Sequence, residues 1–458
     1  MVQPSRTITV AAAQLPARPL SEAAQALTDV AEAVAAAQHT GADLVVLPEC
    51  CYPAYWLGST DQYFRANILR GRAVEAHLAD LARRHRICLV AGIVHEQDGA
   101  LYDAAVLFDA SGSLVGRHCK TFLWDAEHDW YRPGARVQPV ETGFGRIGLL
   151  ICAEGRSPEV FASHAAQMAG LLAMPTAWVN TADGPGRYYN PQPDFMMQAR
   201  ASEFGLPIVC ANKFGQECDE ARFCGMSLIV SRDGRVVAKA PPDKPAVLAA
   251  RVDVKPRRLD LPKATVQRLV DETPPVLPPP DAPPLRVAVL PPNFENPPQR
   301  DGSQRLGGRT AHAIVSLRHA PEPTVADSPG RTEHQLRTVA HAKMGFVTAS
   351  QARSFDRPRV LALEGAQVLC VIGSFDDLAL LRTRAAENRV FVIGAPDNRP
   401  TVILPSGALL ARSSANDDQP LIVDLDLTQA ADKLVAPRTH IWSERRCGAY
   451  CLTRDAVP

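Results

Sequence analysis

Three residues, Glu49, Lys120 and Cys152, have the types and settings for covalent chemistry. Glu49 closes the apolar run Gly41-Ala-Asp-Leu-Val-Val-Leu-Pro-Glu49, Lys120 follows Leu114–Cys119, and Glu127 comes seven residues after Lys120. Cys152 ends Gly148-Leu-Leu-Ile-Cys152 and leads into Ala-Glu-Gly-Arg-Ser-Pro-Glu159. A thiol of pKa ~8.5 is mostly protonated at neutral pH, so a nucleophilic cysteine needs a neighbouring base or cation. A carboxylate shielded from water can take and return a proton near neutral pH. A lysine beside a reacting carbonyl stabilises the oxyanion that develops, commonly the largest catalytic term, and the N–H of Ala153 is a second donor. Taken singly, each has a plainer reading: a loop glutamate, a solvated hairpin lysine, an inert core cysteine. Together they fit attack by sulfur on a carbonyl carbon.

The elements that must position them alternate in type. Thr7–Ala13, Ala42–Leu47 and Ile87–Ile93 read as strands, and Ala23–Gln38 and Val74–His85 as helices. Ala104–Phe108 and Leu114–Cys119 read as a hairpin turning at Asp109-Ala-Ser-Gly112. Strands that are almost wholly apolar imply a sheet covered on both faces, hence an α/β layered architecture with two sheets stacked.

With these motifs in this order, Leu-Pro-Glu49, Lys120 after a hairpin and Cys152 in a G-x-x-x-C-x-E-x-R-x-P-E pattern, the chain resembles the nitrilase superfamily over about residues 7–255. The resemblance implies a four-layer αββα sandwich, a Glu49–Lys120–Cys152 triad, and Glu127 holding the lysine or positioning substrate. It implies hydrolysis of a non-peptide carbon–nitrogen bond in a small amide or N-carbamoyl compound, through a thioester with release of ammonia or amine, and no metal or organic cofactor. Ala153, Glu154, Tyr55, Trp124 and Trp178 are the residues expected to meet the substrate. Three departures stand out. Asp103 follows Tyr102 where many relatives carry asparagine; Phe122 stands where a histidine is common; and Cys152-Ala153-Glu154 replaces the Cys-Trp-Glu frequent in nitrile-cleaving members. The last disfavours a nitrilase acting through a thioimidate, which remains the nearest alternative. An acyl-transfer role and a non-catalytic scaffold are the others. A glutamine-fed synthetase would need a phosphate-cradling glycine-lysine-serine loop, and none follows the first half.

Domain organisation follows from composition and an internal repeat. Thr273-Pro-Pro-Val-Leu-Pro-Pro-Pro-Asp-Ala-Pro-Pro284 suits an extended linker. The expected division is a catalytic domain over 1–260, a Pro-rich linker over 261–285 and a second domain over 286–458. Val160–Gln167 resembles Val360–Gln367, Ala199–Asn212 resembles Thr383–Pro396, Leu228–Ala238 resembles Val402–Ala411, and Val247–Asp260 resembles Leu421–Asp432. Matching order and spacing favour duplication. Ala352 or Ala349 falls opposite Cys152, depending on whether prolines or glycines are aligned. The second half therefore reads as a shortened, degenerate copy of the same fold, without catalytic residues, packing as a built-in partner. An internal pseudo-dimer or a homo-oligomer is expected.

The 458 residues carry 49 Lys+Arg against 49 Asp+Glu, so charge gives no case for nucleic acid or an anionic membrane. No window approaches ~18 uninterrupted apolar residues, so no membrane span is expected. Eleven scattered cysteines and a start that reads as a strand favour free thiols and a cytoplasmic location. Cys447, Cys451 and His440 lack the four-ligand spacing of a zinc site. Cys50, Cys51 and Cys119 read as packing around the pocket, with oxidant sensitivity a minor alternative.

Overall fold

Strand Arg6–Pro16 is the hub of the first half, because every residue from Val10 to Ala13 is apolar and fully buried. It pairs in parallel with Leu44–Val46 and antiparallel with Ala246–Val254, in continuous register from Arg6↔Val254 to Gln14↔Ala246. The sheet built on it runs in the order Ala221–Cys224, Lys213–Cys218, Arg6–Pro16, Leu44–Val46, Cys88–Gln97, Ala100–Phe108, Leu114–Cys119. The strand expected over 42–47 pairs only at Leu44–Val46, since Pro48 ends the ladder by removing a donor. The expected helices extend over Ala23–His39 and Arg72–His85, and both bury their apolar faces on this sheet.

A second sheet is ordered Val236–Lys239, Leu228–Val230, Ile208–Ala211, Leu171–Pro175, Gly145–Leu149, Val140–Thr142. It faces the first, and helices Pro158–Ala166 and Met197–Phe204 lie beside it and pack on each other through the stacked rings of Phe161 and Phe204. The result is the α/β layering expected of stacked, wholly apolar strands.

The computed structural model describes residues 6–182, 186–271, 283–292, 304–306, 309–317, 335–415 and 417–453. Two units emerge. Met1–Leu261 groups with Ala436–Thr439 and the residues from Glu444 onward, while Pro262–Val435 groups with His440–Ser443. This differs from a second domain running unbroken from 286 to 458: the last segment of the chain belongs with the first unit. Of the expected linker, Lys263–Leu269 is a helix, and residues 272–282 lie outside the described residues.

The second unit has a six-stranded sheet ordered Leu409–Arg412, Thr401–Ile403, Phe391–Gly394, Val368–Ile372, Ala342–Thr348, Leu336–Val339. Its neighbours run antiparallel, antiparallel, parallel, parallel and antiparallel, as they do in the first unit's second sheet. A smaller sheet holds Leu285–Leu290 between a parallel Ala313–Ser316 and an antiparallel Leu421–Leu425. Among the described residues no helix is long and apolar enough to cross a membrane.

Candidate active site

Lys120 lies fully buried just past the strand Leu114–Cys119, and its backbone N–H donates to the Asp103 carbonyl at 2.8 Å. Its ammonium donates to Glu49 Oε1 at 2.5 Å and Glu127 Oε1 at 2.7 Å, and lies 3.3 Å from Asp103 Oδ2. These three acid oxygens converge within 4.8 Å, close enough to hold a cation, and the lysine ammonium is that cation. Burial opposes its charge, but Glu127, Glu49 and Asp103 outweigh that and hold Lys120 well above the ordinary lysine value. Glu127 is pushed up to about 7 by burial, against the pull of Lys120 and with the nearby Glu49 adding to the rise. Its Oε1 also accepts from Tyr55 Oη at 2.9 Å, and its Oε2 accepts from the Trp124 N–H at 2.9 Å.

Glu49 is fixed by backbone. Its N–H donates to Thr176 O at 3.2 Å, tying the end of one sheet to the other. The chain crosses strand Cys88–Gln97 so closely there that a Cβ on Gly92 would stand 2.4 Å from the Glu49 Cα. Only glycine fits this crossing.

Cys152 opens the helical turn Cys152–Arg156 with φ at 42°, the left-handed region that costs a non-glycine residue about 1–2 kcal/mol. The surroundings enforce it. Glu154 reaches back to accept from the Ile151 N–H at 2.7 Å, and also takes the Thr121 N–H at 2.8 Å and hydroxyl at 2.6 Å. His118 Nε2 completes its shell at 2.8 Å. Burial alone would raise Glu154, yet His118 and Thr121 bring it down to about 2. Behind the turn, Arg200 Nη2 donates to Arg156 O at 3.3 Å. With its amide oriented by the network, Gln192 donates to the Cys152 carbonyl at 2.7 Å and accepts from Trp178 Nε1 at 3.0 Å. Burial, with Glu49 adding, pushes the Cys152 thiol well up against the opposing pull of Lys120 and the Ala177 N–H. The sulfur therefore rests as a thiol and needs a base to become a nucleophile.

A cavity of about 220 Å³ opens on Cys152, lined among others by Ala153, Trp178, Trp124, Arg156 and Gln192. The Arg156 guanidinium stacks on the Trp124 ring at 5.0 Å. Of the residues expected to meet the substrate, Ala153, Trp178 and Trp124 line this space. Tyr55 and Glu154 do not. Tyr55 spends its hydroxyl on Glu127, and Glu154 is wholly enclosed between the lysine strand and the nucleophile turn, so its assignment to substrate contact is corrected to bracing.

The last residues of the chain complete the site's outer support. Asp125, also at positive φ, donates its N–H to Thr439 Oγ1 at 2.7 Å, and Arg438 pairs with Asp125 and Asp129 on either side of Glu127. Arg445 pairs with buried Glu159 at 3.5 Å, and Cys451 N–H reaches Ser163 Oγ at 3.1 Å.

Asp103, His118, Gln192 and Arg200 contact Lys120 or the Cys152 turn but were not singled out from the sequence as site residues. Asp103 alone left a trace, as a departure from the usual residue.

The carbon-nitrogen hydrolase family model matches residues 9–258, more than half of the chain. The chain belongs to the carbon-nitrogen hydrolase family. Among its relatives, N-carbamoylputrescine amidase of Solanum tuberosum is 27% identical over 271 residues, covering 56% of this chain and 89% of the relative. An omega-amidase of Xenopus laevis is 29% identical over 229 residues, covering 48% and 79%. An amidase from Nesterenkonia sp. has a solved structure 27% identical, with a TM-score of 0.49, covering 58% of this carbon-nitrogen hydrolase and 98% of that chain.

Proposed function

We propose that the chain is a cysteine-dependent hydrolase of the carbon–nitrogen bond in a small amide or N-carbamoyl compound. One observation carries the reading: Lys120 is held between Glu49 and Glu127 beside a strained Cys152 that opens on a cavity. Glu49 takes the thiol proton as sulfur attacks the amide carbon. Lys120 and the Ala153 N–H receive the oxyanion, and Glu49 returns the proton to the departing ammonia or amine. A water activated by Glu49 then hydrolyses the thioester. Glu127 and Tyr55 keep the ammonium aimed. The narrow lining by Trp124, Trp178 and Gln192 favours a small acyl group. The names of the two amidase relatives favour amides in the same direction. Ammonia release across small amides, carbamoyl amino acids and nitriles tests it; release from nitriles alone would favour the thioimidate route.

The second unit is read as a shortened copy that lost the chemistry. Its six-stranded sheet has the strand order and directions of the first unit's second sheet, down to a register shift at Ile229/Val230 and at Val402/Ile403. Arg384 donates to Ala352 O and pairs with Glu387, as Arg200 reaches Gly155 O and pairs with Glu203. Gly148 faces Leu172, and Gly345 faces Leu369. These correspondences favour Ala349 as the counterpart of Cys152. A sulfur-free position there fits a structural role.

A further inference from the structure

The lysine centre holds three buried carboxyl groups for one ammonium, so with all ionised it would carry an excess of two negative charges out of water. Such excess is relieved by keeping a proton on one acid. Hydrogen bonding indicates which. Among the described residues neither Glu49 Oε2 nor Asp103 Oδ2 receives a hydrogen bond, although both are sealed from solvent; the Lys120 ammonium, 3.3 Å from Asp103 Oδ2, meets it as an ion pair only. An oxygen of each carboxyl lies within 4.8 Å of one on the other. A single proton between them satisfies both. The other oxygen of Asp103, Oδ1, faces the Cys50 thiol at 3.6 Å.

We propose that Asp103 holds this proton and donates it in a hydrogen bond to Glu49, acting as a positioning residue for the catalytic base. The inference rests on the reading of Glu49 as that base. Facing Asp103 are Glu49 and Cys50 from the Pro48 turn, Cys119 and Lys120 from the hairpin's second strand, and Glu127 and Tyr131 from the helical turn beyond. Burial and the neighbouring Glu49 hold the Asp103 proton on more firmly than Lys120 pulls it off. While neutral, Asp103 orients Glu49 toward the thiol. Once Asp103 ionises, the extra negative charge opposes formation of the Cys152 thiolate. An asparagine at this position would donate the same kind of hydrogen bond at every pH, whereas aspartate donates only while protonated. The substitution thus adds an alkaline limit to the site. No covalent bond changes at Asp103, and the proton passed between Cys152 and Glu49 is a different one.

The test needs no substrate. The rate at which iodoacetamide labels Cys152, read by mass spectrometry of its peptide, is followed against pH in the full chain and in Asp103→Asn. The wild type is expected to stop gaining reactivity where Asp103 loses its proton, and the variant to keep gaining, exceeding it there about tenfold for each pK unit of coupling. Infrared spectroscopy supplies a second readout that does not depend on the variant folding. A protonated-carboxyl band should be present in the wild type near neutral pH, persist in Glu127→Gln and vanish at alkaline pH. Superimposable labelling profiles, labelling lowered in the variant at every pH, or no such band would each overturn the proposal. Labelling as expected without ammonia from any amide would instead count against the substrate reading alone.

Discussion

His118 Nε2 and Glu154 Oε2 meet at 2.8 Å, joining the strand that leads into Lys120 to the turn that begins at Cys152. The contact sets the spacing of Lys120 and Cys152. Glu154 is held down at about 2, against an ordinary value of 4.5, so its contribution to stability is present above about pH 4.5 and is lost as pH falls toward 2. Glu154→Gln should cost on the order of 3 kcal/mol at pH 7, with the difference from wild type shrinking through that acid window. Denaturant unfolding at a series of pH values measures it. A difference that stayed constant with pH would show that the carboxylate charge is not what braces the turn.

Glu127 has the opposite sign. Its carboxyl is raised to about 7 in the folded protein from an ordinary 4.5, so the folded state binds the extra proton between those values. That contribution is full below about pH 4.5 and is lost as pH rises through 7. Glu127→Gln should therefore flatten a decline of a few kcal/mol in stability between pH 5 and 8, while lowering turnover about 100-fold by releasing the Lys120 ammonium. An unchanged stability profile would place the proton elsewhere.

Gly92→Ala puts a methyl group 2.4 Å from the Glu49 backbone. Backbone offers no rotamer to relieve the clash, so about 3 kcal/mol of destabilisation and a fall in turnover of at least tenfold are expected, with the base displaced. Thermal melting and steady-state kinetics on one preparation measure both. Wild-type kinetics would show that the crossing tolerates movement.

How much of this was legible in the sequence depended on range. Strands near Val10, Val45 and Leu89 were readable because unbroken apolar runs announce burial on both faces. Glu49, Lys120 and Cys152 stood out because each follows such a strand or hairpin with a distinctive local pattern, whereas Glu127 came only from the family resemblance. Glu154 misled, because adjacency to the nucleophile says nothing of which way a side chain turns; it faces Thr121 and His118. Arg438 and Thr439 were invisible as neighbours of Glu127, more than 300 residues earlier in the chain, because no periodicity links them.

That return of the chain makes a prediction of its own. A protein ending at residue 261 lacks the residues that seat Asp125, Glu159 and Ser163. It should lose at least tenfold in activity and unfold more readily, although the exposed Arg438 pairs taken alone are worth under about 1 kcal/mol. A fully active, soluble fragment would show that neither the tail nor the second unit supports the site.

The most direct measurement is ammonia release from a panel of small amides and N-carbamoyl compounds, comparing wild type with Cys152→Ala. The cavity on Cys152 and the buried Lys120 centre predict turnover by the wild type and none by the variant, which keeps its fold because a small residue is accommodated there. Turnover that survived the loss of the thiol would contradict the account.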